Sequence, residues 1–299
     1  MSETELEVRE RAARADAEPT ASPERVERIT TIRPAPRWPH LGASELWHYR
    51  ELLGRFVWRD VMVRYKQTFF GVAWAILVPT FTAAVYVIVF GRFANFPSGN
   101  IPYPQLVLSG LLPMQYFTSS LTGASTSLVA NLPLVTKVYF PRILLPLAAA
   151  IVPIVDLLLG FVVLVPLMAY YDTWPGGVQV FTAPLFIGLA FMTALGVGLL
   201  LSAVNVRYRD VPYMLPPLIA VLPLLSGVPY AIKEIPEKWQ WLLSLNPMTG
   251  VISGWRWAVV DGSVPNWGQM AVSVTVAALL FVAGLAIFRS AEPRFADRI

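Results

Sequence analysis

The sequence predicts an all-α membrane protein with six transmembrane helices, an N-terminal amphipathic interface helix, and re-entrant helices between spans five and six. Three observations carry that expectation. Of the 299 residues, 56% are apolar and only 14% are charged, whereas a soluble domain carries roughly 25% charged residues. Several stretches of about 20 residues hold at most one charge, which is the length a helix needs to cross the hydrocarbon. Most Lys and Arg fall in alternate connections, so both termini and those connections are expected in the cytoplasm. The net charge of +4 reflects these loop cations and not a nucleic-acid surface. The chain has no cysteine, which excludes disulfides, thiolate nucleophiles and thiolate metal sites.

Residues 1–43 mix Glu, Arg, Ala and Pro with hardly any large apolar residue, and a disordered cytoplasmic tail is expected. No cleaved signal peptide is expected. Residues 44–66 read as the amphipathic helix. Ser44 can cap it, and Leu46, Tyr49, Leu53, Phe56 and Val57 share one face. Asp60 and Arg64 stand at the i,i+4 spacing of a helical ion pair. Trp47 and Trp58 suit headgroup depth, so the helix is expected to lie in the interface.

Residues 67–299 form the six-span domain. The spans are expected near Val72–Phe90, Leu106–Ala130, Leu144–Tyr170, Phe181–Val204, Val211–Pro229 and Met270–Phe288. The second and fourth carry stripes of small residues at four-residue spacing, Ser119-Gly123-Ser127 and Ala194-Gly198-Ser202, which favour close helix packing. Prolines 212, 216, 217, 223 and 229 should kink or break the fifth span. Asn205–Asp210 reads as a tight cationic turn. Between Tyr230 and Trp267, the short apolar runs Trp239–Leu245 and Met248–Val260 flank Asn246-Pro247. Runs that short do not span, so they read as re-entrant helices. The outer loops hold only the cations Arg92, Lys233, Lys238 and Arg256.

The loop Asn131–Arg142 is the centre of the functional reading. It mixes Lys137 and Arg142 with Pro133, Pro141, Tyr139 and Phe140. Leu134 and Val138 fall on one side of a short helix that Pro133 starts and Pro141 ends. One reading is a plain interfacial turn; the other is a helix pressed against a cytosolic partner. Asp156 sits in the middle of the third span. A carboxylate there is costly, and it is either a functional group or a structural one bonded to a neighbouring helix.

No phosphate-binding G-x-x-x-x-G-K-[ST] loop occurs. The only histidines, His40 and His48, precede the first span, which speaks against a membrane-embedded enzyme with a histidine base. Neither a catalytic constellation nor a metal-ligand spacing is visible.

The runs Trp58-Arg59-Asp60-Val61, Val63-Arg64-Tyr65-Lys66-Gln67-Thr68, Gly71-Val72-Ala73-Trp74-Ala75, Ser127–Asn131, Lys137–Arg142, Val206–Asp210 and Leu245–Thr249 together resemble the permease subunits of type-two ABC polysaccharide exporters, the O-antigen and teichoic acid export family. The resemblance covers about Trp47 to Phe288. It implies a multi-pass permease of the cytoplasmic (inner) membrane. Such a permease pairs with a second copy of itself, binds two copies of an ABC ATPase subunit, and moves a lipid-linked polysaccharide. No cofactor is expected in this chain, since ATP and Mg belong to the partner. The resemblance implies ATPase coupling through Arg59, Arg64, Asn131, Lys137, Val138, Tyr139, Phe140, Pro141 and Arg142. Asp156, Tyr230, Trp239, Trp241, Trp255 and Trp257 are the candidates for the transport pathway, where aromatic rings suit sugar C–H faces. Two positions depart from the pattern: Met114-Gln115, where an aromatic usually follows the proline, and Ser253, where Glu is common. A similar permease for a drug or a small lipid is the alternative reading.

Overall fold

The computed structural model describes residues 47–66, 71–260 and 262–295, and all regular structure among them is helical. The expected tail, the Ser44 cap and Leu46 lie outside the described residues. Helix α1 covers Arg50–Lys66. Phe56 is its buried residue, and Tyr49, Leu52, Leu53 and Val57 pack partly against the core, while Trp47 and Trp58 face outward. The helix is thus amphipathic as read, with its apolar stripe on the protein's own helices.

Helix α2 (Val72–Tyr86) continues as a π-helix over Val87–Phe93. Helix α3 (Tyr103–Ala130) is the centre of the bundle, with Leu106–Leu112 buried on all sides. A helix apolar all round belongs in a core. The short α4 (Leu132–Lys137) follows at once.

The expected third span is two helices, α5 (Leu144–Ile151) and α6 (Ile154–Tyr171), broken at Val152-Pro153. Pro153 has no N–H to bond back to Ala149. The break leaves the Ala150 carbonyl to accept from the Ser120 hydroxyl at 2.9 Å, the substitution by a neighbouring helix that membrane interiors require. Helix α7 (Ala183–Tyr208) runs four residues beyond the expected end of span four. The cationic turn therefore shrinks to Arg209, which is left-handed (φ 52°), and Asp210.

Helix α8 (Val211–Leu225) stops short of Pro229. Its 15 residues reach about 22 Å, less than the roughly 30 Å of hydrocarbon. Gly227 takes φ 78°, a left-handed turn that ends the rod. Helices α9 (Glu237–Ser244) and α10 (Pro247–Val259) are the expected short pair. Asn246 caps α10, its side chain accepting from the Met248 N–H at 3.1 Å. Helix α11 (Trp267–Ala291) ends the bundle.

Among the described residues, four segments are long and apolar enough to cross a membrane: Val72–Phe93, Leu144–Tyr171, Gly177–Tyr208 and Trp267–Ala291. Of the other two expected spans, α3 is long enough but rich in Ser and Thr, and α8 is short.

Helix α7 packs between α3 and α11. A Cβ on Gly198 would stand 2.6 Å from the Ala124 Cβ, and one on Gly284 would stand 1.9 Å from the Gly196 carbonyl oxygen. Both crossings are close: Gly198 of the α7 stripe packs on α3, and Gly196, outside that stripe, packs on α11. Two apolar cores result. One lies around α3, α7 and α10, toward the 230–267 end. The other gathers Phe56, Leu128, Phe140, Leu144, Leu199 and Phe288 at the end that carries residues 131–142.

Candidate functional site

At the 131–142 end, helix α1 acts as a strap across the bundle. The Phe56 ring meets Phe140 edge-on, with centroids 5.6 Å apart. Arg59 Nη2 donates to Asn131 Oδ1 at 3.1 Å, and Asn131 itself ends α3 by donating to the Ser127 carbonyl. Arg64 pairs with Asp156 at 2.5 Å, and the Tyr65 hydroxyl donates to the same carboxylate. Burial, and then the Asp156 hydrogen bond, push the Tyr65 hydroxyl well above the usual phenol range, which keeps it a donor. The expected Asp60–Arg64 pair does not form, because Asp60 takes Arg59 at 2.8 Å.

Asp156 sits near the middle of the Leu144–Tyr171 segment, as read. It lies in the first turn of α6, just past the break, where a helix N-terminus favours a carboxylate. Its side chain is 12% exposed and that of Arg64 is 42% exposed.

Residues 131–142 divide into an outer tip and an inner anchor. Pro133 occupies the first turn of α4 as read, but Val135, not Val138, is the buried residue. Val138 is extended (φ −128°, ψ 134°), and successive residues of an extended chain point to opposite sides. Tyr139 is accordingly 96% exposed and Phe140 6% exposed. Phe140 is therefore a core residue and not an outward anchor, which corrects the expectation placed on it. Pro141 is buried beside it. Arg142 is committed inward as well. Its guanidinium donates to the Glu292 carbonyl at 2.6 Å, its backbone N–H donates to Glu292 Oε1 at 3.2 Å, and it lies over the Phe295 ring. Lys137, Val138 and Tyr139 form the exposed tip.

At the 230–267 end, the expected aromatic set is scattered. Trp239 and Trp241 are half exposed on α9. Trp255 is 2% exposed and packs edge-on against Phe161, so it belongs to the core and not to an open path. Trp257 meets Trp267 edge-on. The Tyr230 hydroxyl donates to the Leu224 carbonyl at 2.6 Å. Glycines seat α10 deep in the bundle: a Cβ on Gly254 would stand 2.0 Å from the Phe186 ring, and one on Gly250 would stand 2.6 Å from the Ser273 Cβ.

The residue that sequence reasoning missed is Arg256. Read as an outer loop cation, it is 5% exposed. Nη2 donates to Leu106 O at 2.8 Å and Val228 O at 2.7 Å, Nη1 to Gly227 O at 2.9 Å and Tyr230 O at 3.2 Å, and Nε to Leu106 O at 3.2 Å. All five N–H donors of the guanidinium are thereby used. One cation ties α3, the turn after α8, and α10 together. A Cβ on Gly110 would stand 2.6 Å from Arg256 Nη2, so the glycine makes room for it. The sequence signal was its position as the one charge inside an otherwise apolar 248–260 run.

Comparison with known proteins adds a family. The ABC-2 type transporter family matches residues 51–260. An O-antigen export system permease protein, RfbA, of Klebsiella pneumoniae is 30% identical over 240 residues, covering 80% of this chain and 91% of the relative. RfbA of Myxococcus xanthus is 29% identical over 259 residues, covering 85% and 98%. The polysialic acid transport protein KpsM of Escherichia coli is 24% identical over 241 residues, covering 78% and 91%.

Proposed function

This chain belongs to the ABC-2 type transporter family, and from that premise we propose that it is the membrane-spanning permease subunit of a lipid-linked polysaccharide exporter. The observation that carries the reading is near full-length similarity to relatives named for O-antigen export and polysialic acid transport. The structure supplies parts that suit the task. The bundle of apolar helices fits a multi-pass membrane subunit, and the exposed Lys137–Tyr139 tip fits a docking point for a separate ATPase.

In this reading the permease is a homodimer of six-span subunits with two ATPase copies, both termini and the 131–142 loop face the cytoplasm, and the 230–267 helices face outward. Helix α1 couples the two sides. A push on the tip reaches Phe140 directly through the chain, Phe56 through the ring contact, and Asp156 through Arg64 and Tyr65. The strap touches α3, α5 and α6, so one movement is felt by three helices.

A strain lacking the gene tests the function. Surface polysaccharide should be lost, with lipid-linked polymer accumulating inside. Wild-type chain should restore export only beside an ATPase able to hydrolyse ATP. Undiminished surface polysaccharide in the deletion strain overturns the reading. Single cysteines at 137 and 238 in this cysteine-free chain test sidedness: an impermeant thiol reagent applied outside should label 238 and spare 137.

A further inference from the structure

A cavity of about 350 Å³ opens at the 230–267 end, walled by α9, α10, the start of α11 and the loops around residues 98–101 and 262–266. Its volume falls in the range of ligand pockets, roughly 300–1,000 Å³. We propose that this cavity is a saccharide site that holds one uncharged sugar unit at the outer end of each protomer. The proposal rests on the export reading and deepens it.

Four observations carry it. The walls present neutral hydrogen-bonding side chains from three helices, with Gln240 on α9, Thr249 and Ser253 on α10, and Gln269 on α11. Thr249 is 3% exposed, yet its hydroxyl has no hydrogen-bond partner among the described residues. A buried hydroxyl without a partner is costly and calls for one. The two glutamines are already oriented: Gln269 Nε2 donates to Gln240 Oε1 at 3.0 Å, and Gln240 Nε2 donates to the Ile235 carbonyl at 2.5 Å. With its Nε2 engaged, Gln269 retains its side-chain oxygen as an acceptor for a ligand in the cavity it lines. The charges do not select an ion, since Lys233 and Glu234 adjoin at the mouth and the Arg256 guanidinium is consumed by carbonyls. A surface offering both donors and acceptors without net charge matches sugar hydroxyls, which donate and accept alike.

Helix α10 links this site to the rest of the molecule. Thr249 and Ser253 lie one turn apart on it, and Arg256 follows within the next turn. Occupancy would therefore be felt by the same helix that Arg256 bolts to α3 and to the turn after α8.

The test uses the full chain in lipid nanodiscs. The probes are methyl α-glucoside, methyl α-mannoside, methyl α-rhamnoside and N-acetylglucosamine, with inorganic phosphate as the ionic alternative, read by saturation-transfer NMR. At least one sugar should receive saturation from the wild type. Ser253→Trp, which fills the cavity, should abolish the transfer. Thr249→Val, which keeps the shape and removes the hydroxyl, should weaken affinity about tenfold, a typical loss for one buried hydrogen bond. Export in the complemented deletion strain is measured alongside. If wild type restores export but no sugar binds, or if Ser253→Trp leaves the signal unchanged, the site is overturned and the export reading stands. Binding of phosphate and of no sugar overturns it too. If sugars bind as described while wild type restores no export, the site stands and the export reading falls.

Discussion

Arg64 and Arg256 are two cations within one bundle, held in opposite ways. Arg64 is 42% exposed and meets a single carboxylate, Asp156, beside one helping hydroxyl. Arg256 is buried and meets no carboxylate among the described residues; five bonds to four carbonyls hold it. A bond that water can reach exchanges at little cost, whereas a buried charge cannot give up its acceptors without large loss. The difference teaches where this fold can yield. The 131–142 end is latched by an arginine that solvent reaches, and the 230–267 end is bolted by a buried one. The proposed coupling would use that division, with the push received at one end and the other kept intact.

Removing the bolt gives the largest effect. Arg256→Met strands the carbonyls of Gly227, Val228 and Tyr230, while the Leu106 carbonyl keeps the Ser109 hydroxyl. At about 1–3 kcal/mol for each unsatisfied group, the loss is at least ~3 kcal/mol, and the variant should express poorly or melt far below wild type. Arg256→Lys keeps the charge but not the planar fork, and should recover only part of the melting temperature. Wild-type melting of the Met variant would erase the comparison. Phe140→Ala comes second. It empties a buried ring site against Phe56, for which about 3 kcal/mol is expected, and it should loosen α1, read as faster proteolysis within 47–66.

Cutting the latch ranks third. Asp156→Leu removes the partner of Arg64, but Arg64 reaches solvent, so about 1–2 kcal/mol is expected, well under the cost at a fully buried pair. Asp156→Asn still accepts from Tyr65 and should be milder. Both should lower export more than they lower stability, since the latch is the strap's contact with α6. Full export by the Leu variant at normal expression would make Asp156 purely structural.

The legible and illegible parts of this molecule divide along a physical line. The amphipathic face of α1 and the short α9–α10 pair follow from local periodicity and capping, which neighbouring residues decide. The break at Val152-Pro153 was also written locally, in a proline flanked by apolar residues, but hydropathy runs straight through it. Pairings were not legible, because Arg64 finds Asp156 92 residues away and Arg256 finds Leu106 150 residues away. The cost of Asp156 was visible in the sequence and its partner was not. Arg256 was misplaced for the same reason: in sequence it has no partner at all, since its acceptors are backbone carbonyls that only the fold assembles. Tyr139 and Phe140 looked alike as adjacent aromatics, and one extended residue, Val138, sends them to opposite sides.

That last split sets the smallest expected effect on stability and the sharpest on function. The Tyr139 side chain is 96% exposed and joins neither apolar core, so Tyr139→Ala should leave the melting temperature unchanged, as surface substitutions usually do. A large aromatic kept in the open beside Lys137 suits an anchor for a partner's groove, and such anchors often dominate interfaces. The variant should insert and dimerise normally while losing capture of the ATPase and substrate-stimulated ATP hydrolysis. Lys137→Ala, a charge at the rim, should slow association more than it weakens the complex. Phe140→Ala provides the contrast, because it should fail by loosening the protein and not by losing the partner's contact surface. If Tyr139→Ala captures the ATPase and exports like wild type, the tip is only a turn, and coupling must enter elsewhere along α1.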